Sequence, residues 1–206
     1  VAALKQLRAD PALCRRLVET FPAYDDVRFR NDWGELGKAW REDVSRLGSA
    51  WTELDRGLRS PAFLGLQSRI SGIPNLLFDP SYFGGGTHEN LHDMELDPHI
   101  DFNLHPQTQL HRRLNLLLYL NDEWDEAWGG SLELHTNPWR PPHENRITTI
   151  PPLANRCVIF ETSDHSWHGF RRIAQGPPQA SFLNRMRCGR APSSPRRRFL
   201  SSSYSR

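Results

Sequence analysis

Long apolar runs are missing from this chain of 206 residues, and no segment reaches the roughly 20 apolar residues that a membrane-spanning helix needs. Hydrophobic residues make up 37% and mean hydropathy is −0.64, the composition of a water-soluble domain. Cysteine is scarce. Cys14, Cys157 and Cys188 are odd in number and far apart, which excludes a disulfide framework and a cysteine-based zinc site, and predicts reduced thiols in a cytoplasmic compartment. A charged-then-apolar leader is lacking, and the chain opens on Val1 rather than Met, as expected of a sequence that starts inside a longer protein. Acid is absent from residues 171–206, which hold nine arginines. The net charge of +2 therefore hides a net acidic body, and nucleic acid is not an expected partner of that body. No internal repeat is visible.

What is present falls into two textures. Asp10-Pro11 is a helix start, a capping side chain followed by proline at the first helical position. Leu13, Leu17, Val18 and Phe21 follow at helical spacing until Pro22. Residues 33–47 read as a second helical stretch, and Trp51, Leu54 and Leu58 mark a third. Ser60-Pro61 repeats the start signal, and Gly72 with Pro74 stops that helix. Residues 1–73 are thus expected to form a helical layer, with Trp33, Trp40 and Trp51 as packing residues.

From Asn75 onward the pieces shorten and turn residues separate them: Gly84-Gly85-Gly86, Asn121-Asp122, Gly129-Gly130, Pro141-Pro142 and Pro151-Pro152. Residues 114–120, 131–135, 146–150 and 157–161 are strand-like. Short strands punctuated this regularly point to a β-sandwich or barrel of jelly-roll type. Helices first and strands second give a mainly β, α+β class. Three parts are expected: a helical flank over 1–73, a jelly-roll domain over 74–187, and an Arg/Ser/Pro-rich tail over 188–206 with the composition of disorder.

Chemistry concentrates at His99-Ile100-Asp101. Side chains alternate along a strand, so His99 and Asp101 project from one face and bring an imidazole nitrogen beside a carboxylate oxygen. A later histidine would complete a 2-His-1-carboxylate facial triad for Fe(II), with positions left open. His165 and His168 compete for that role. Three apart, they have opposite parity on a strand, so one at most faces the pocket. His168 is favoured, because His165 lies in the polar turn 162–166. His88, His92, His105, His111, His135 and His143 show no partner spacing and read as surface or core residues.

Four ordered blocks now carry a resemblance: His99-Ile100-Asp101-Phe102-Asn103, Arg112-Arg113-Leu114-Asn115-Leu116-Leu117-Leu118-Tyr119-Leu120-Asn121, Trp128-Gly129-Gly130-Ser131-Leu132-Glu133-Leu134, and residues 160–169. Together they resemble the prolyl 4-hydroxylase-like branch of the Fe(II)/2-oxoglutarate-dependent oxygenases over about residues 60–170. The resemblance implies a double-stranded β-helix (jelly-roll) core, iron held by His99, Asp101 and His168, and 2-oxoglutarate as co-substrate, with ascorbate as an accessory reductant. It implies Tyr119 as a contact for the 2-oxoglutarate carboxylate, and Asn115, four residues earlier on the same strand face, as a pocket residue. The implied reaction is hydroxylation of an unactivated C–H bond, on a prolyl or other peptidyl side chain, a free amino acid or a small metabolite, with release of succinate and CO₂. Asp101 favours hydroxylation over halogenation, since related halogenases carry a small residue there.

Such enzymes place a cation on the strand after the last histidine to meet the distal carboxylate of 2-oxoglutarate. The family pattern is a basic residue, one residue and serine. Here the nearest match is Gln179-Ala180-Ser181, with glutamine in place of the cation. Arg185 shares strand parity with Gln179 and Ser181 and is the first substitute; Arg172 is the second. Relatives end this region in an aliphatic, tyrosine-rich strand, whereas this chain turns to arginine, proline and serine. A shifted reading frame near residue 173 would produce such a change. The alternative reading is an inactive relative, or a jelly-roll binding module that has lost 2-oxoglutarate. Residues 89–95 and 139–145 are candidate lid segments over the substrate.

Overall fold

A computed structural model describes residues 5–22, 39–41, 44–121, 124–174 and 197–205. In chain order its elements are β1 (Lys5–Arg8), α1 (Pro11–Glu19), β2 (Ala39–Arg41), α2 (Ser49–Leu58), α3 (Pro61–Ser71), β3 (Leu77–Phe78), β4 (Gly86–Asn90), β5 (Leu96–His99), β6 (Arg112–Tyr119), β7 (Leu132–His135), β8 (Ile147–Ile150), β9 (Arg156–Glu161), β10 (His168–Phe170) and β11 (Arg197–Ser205). A larger sheet runs β1-β9-β6-β11-β4-β2, with β3 paired to β11, and a smaller one runs β5-β10-β7-β8. All their pairings are antiparallel.

The helices form for the reasons their sequences announce. Asp10 accepts from the Ala12 and Leu13 amides with Pro11 behind it, Ser60 accepts from the Phe63 amide with Pro61 behind it, and Gly72 ends α3 at φ 74°. Trp51 is fully buried and its indole N–H donates to Thr20 Oγ1 at 3.0 Å, which ties α2 to the end of α1. Cys14, Leu17, Trp51, Leu54 and Leu58 pack on Leu114, Leu116, Leu118, Leu200 and Tyr204 from one face of the larger sheet. The other face of that sheet supplies Leu117, Tyr119, Val158, Phe160 and Phe199, which meet Leu132, Leu134 and Ile150 from the smaller sheet. β6 is therefore apolar on both sides because both sides are covered.

Three expectations need correction. Residues 1–73 are not helical throughout: β1 and β2 join the larger sheet, Ala39–Arg41 within the expected second helix is a strand, and Val44–Arg46 is a single 3-10 turn. The rest of 33–47 lies outside the described residues. Nor do residues 197–205 belong to a disordered tail. Residues 197–205 form β11, between β6 and β4 in the larger sheet. Leu200, Ser202 and Tyr204 are almost fully buried on the side facing the helices, and Phe199 and Ser201 on the side facing the smaller sheet. Serine suits this position because a strand squeezed between neighbours on both faces has room for small side chains. A strand completed with this register also argues against a shifted frame over 197–205. Residues 175–196 lie outside the described residues.

Candidate metal centre

β5 is an edge strand, and there alone can a sheet tolerate Pro98 within it. The pairing of β5 with β10 matches His99 to His168 and Leu96 to Phe170, so an extra residue bulges out of β5 between them. Gly169 fills that bulge: a Cβ there would collide with the Leu96 carbonyl oxygen. The outcome is that His99 and His168 stand directly opposite each other, with ring centroids 4.4 Å apart. Asp101 lies two residues past the end of β5. Its Oδ1 is 3.8 Å from His99 Nε2 and its Oδ2 is 3.4 Å from His168 Nε2. One donor atom from each residue falls within 4.8 Å of the others, the arrangement of a metal-binding group.

Backbone carbonyls choose the tautomer of both imidazoles. His99 Nδ1–H donates to the Asp97 carbonyl and His168 Nδ1–H to the Ser166 carbonyl, each at 2.9 Å. In the neutral ring this leaves Nε2 as the nitrogen free to ligate, and in both residues it is the nitrogen that faces Asp101. Burial pushes the His168 imidazole down from 6.5 to about 4; Asp101 opposes the shift, His99 adds to it, and the Ser166 carbonyl opposes it. His168 is therefore neutral at neutral pH, as a metal ligand must be. Two neutral imidazole nitrogens and one carboxylate suit Fe(II) in a facial triad, so these residues fit the ion that the sequence implies.

The surrounding pocket is lined by Gly84, His88, Leu117, Leu132, Phe199 and Ser201, among others, beside the triad. Asn115 also lines it, and its Nδ2 donates to Asp101 Oδ2 at 3.0 Å. Arg112 is 3% exposed; its NH2 donates to Asn115 Oδ1 at 2.9 Å and its guanidinium lies 4.6 Å from the Phe102 ring centroid. Tyr119 is fully buried and pairs in register with Phe199, their rings 5.9 Å apart. His165 is exposed in the turn before β10. Arg172 is not among the pocket-lining residues: it reaches Glu95 at 3.3 Å with 60% of its side chain exposed. Arg185 and Ser181 lie outside the described residues. Of the two expected lid segments, residues 89–95 include the end of β4, and 139–145 hold a turn after β7 in which Trp139 is 80% exposed.

Sequence reading missed His88, Arg112, Phe199 and Ser201. His88 Nε2 and Ser201 Oγ share a hydrogen bond of 2.8 Å, and the imidazole stacks on Phe199 at 4.7 Å. β4 is Gly-Thr-His-Glu-Asn, without one apolar residue, yet every position in it is buried. No hydrophobic period could have revealed it.

Comparison with known proteins agrees with this geometry. Residues 86–186 match the family model of the 2OG-Fe(II) oxygenase superfamily. No curated protein matches the sequence. Among solved structures, a prolyl hydroxylase from Trichoplax adhaerens, in complex with a hypoxia inducible factor oxygen degradation domain peptide, superposes with TM-score 0.60 at 15% identity over 100% of this chain and 84% of its own. A prolyl-4-hydroxylase from Pseudomonas putida gives 0.59 at 16% over 100% and 94%. HygX from Streptomyces hygroscopicus, solved with nickel and 2-oxoglutarate bound, gives 0.59 at 11% over 99% and 83%. At such identities the likeness is one of fold: the jelly roll of the 2-oxoglutarate oxygenases.

Proposed function

We propose that the chain is an iron- and 2-oxoglutarate-dependent dioxygenase that hydroxylates an unactivated C–H bond of a peptidyl side chain, an amino acid or a small metabolite. The observation that carries this reading is the convergence of the His99 and His168 Nε2 atoms and the Asp101 carboxylate in the pocket between the sheets. Bound iron and 2-oxoglutarate would supply the oxidising power, with succinate and CO₂ as the co-product pair. The protein's part is to hold the triad, orient the co-substrate and keep water out.

Tyr119 is the proposed contact for the distal carboxylate, fully buried on the face of β6 that meets the smaller sheet. Prolyl hydroxylases among the structural neighbours make a peptidyl substrate one candidate.

Incubation with Fe(II), 2-oxoglutarate and ascorbate is expected to release succinate slowly without a prime substrate. Tyr119→Phe is expected to raise the KM for 2-oxoglutarate more than it lowers kcat. A chain that neither turns over 2-oxoglutarate nor binds it in calorimetry is not an oxygenase.

A further inference from the structure

Asp101 offers two oxygens, and both face the metal position: Oδ1 is the one near His99 and Oδ2 the one near His168. An aspartate binds divalent metals through one oxygen or through two. A facial triad leaves the whole opposite face of the metal open only if its carboxylate contributes one. Something must therefore occupy the second oxygen.

Two side chains of β6 do so. Asn115 Nδ2 donates to Oδ2 at 3.0 Å, and Arg112 NH2 lies 3.3 Å from the same oxygen. The same NH2 donates to Asn115 Oδ1 at 2.9 Å. A guanidinium can only donate, so it dictates which end of the Asn115 amide meets the carboxylate. Arg112 is itself held at both backbone and side chain. Its amide donates to the Asn103 carbonyl at 2.8 Å, its carbonyl accepts from Thr162 Oγ1 at 2.9 Å, and its guanidinium rests on Phe102. These contacts join the strand carrying Arg112 to the loop after Asp101 and the turn before His168.

The geometry points to Arg112 and Asn115 as positioning residues that hold Asp101 Oδ2 away from the metal and leave Oδ1 as its single ligand atom. This inference rests on the metal-site reading above. Neither residue reaches the metal; each acts through Asp101. The consequence is room for a chelating keto acid with one further position left open beside it.

Co(II) replaces Fe(II) as the probe, because its visible spectrum reports coordination number. Asn115→Leu removes the donor at nearly constant volume. It is expected to weaken Co(II) binding roughly 10–100-fold, to alter the Co(II) spectrum, and to weaken 2-oxoglutarate binding to the metal-saturated protein by tenfold or more. Arg112→Lys keeps a donor and is expected to lose less than Arg112→Leu. Circular dichroism of the metal-free variants checks folding, and Asn115→Ala carries the same expectation if Asn115→Leu does not fold. Wild-type protein that binds no Co(II) overturns the metal-site reading itself. Wild-type protein that binds Co(II), with affinity, spectrum and 2-oxoglutarate binding unchanged in Asn115→Leu, overturns only the positioning role.

Discussion

His168 is the residue on which most of the site's chemistry turns. It is buried among Phe160, Asp101 and His99, held by the Ser166 carbonyl, and paired in register with both Leu134 and His99. His168→Ala is expected to abolish divalent-metal binding measured by calorimetry, and His165→Ala to leave it unchanged; the reverse would exchange their roles. Burial also gives the metal-free protein a pH signature. Below pH 6.5 the unfolded chain takes up a proton on this imidazole that the folded chain refuses until about pH 4. Stability is therefore fully present above 6.5 and lost as pH falls through that window, on the order of 3 kcal/mol in all. Urea titrations of metal-free protein between pH 7 and 4 should show the loss, and His168→Gln should flatten it. The triad itself was legible in the sequence, because a His-x-Asp spacing and the order of four blocks are local information. Arg112 stood inside one of those blocks, yet its role was invisible, since it depends on a carboxylate eleven residues earlier meeting it across a loop.

At the scale of elements, β10 and β11 decide the site. β10 is short, and its middle residue must let the β5 backbone approach. Gly169→Ala would push β5 away and separate His99 from His168, so metal affinity should fall in a protein that still folds, as read by calorimetry and circular dichroism. β11 is a stability element. Leu200 is fully buried against the helices, and Leu200→Ala should cost about 2–4 kcal/mol in denaturant unfolding. Helix starts at Asp10 and Ser60 could be read in advance because capping needs only neighbours in sequence. β11 could not: Arg-Arg-Phe-Leu-Ser-Ser-Ser-Tyr-Ser lacks the apolar density of a core strand, and only its neighbours β6 and β4 make it one.

Across the whole molecule, the triad belongs to the smaller sheet and the residues that brace Asp101 to the larger one. Metal bound at the triad should therefore stabilise the protein as one cooperative unit. At a free Mn(II) concentration a hundredfold above its dissociation constant, unfolding should become harder by about 2.7 kcal/mol. His99→Ala protein should show no such gain. The sequence alone pointed to the three candidate metal ligands, the starts of α1 and α3 and the jelly-roll class, because spacing, caps and turn residues act over a few neighbours. The tertiary structure decided the rest. It turned a serine- and arginine-rich end into a central strand, brought His88 and Ser201 into the pocket, and placed Asn115 and Arg112 on Oδ2 of Asp101. Each of those outcomes depends on strands far apart in sequence lying side by side, and no local pattern encodes that.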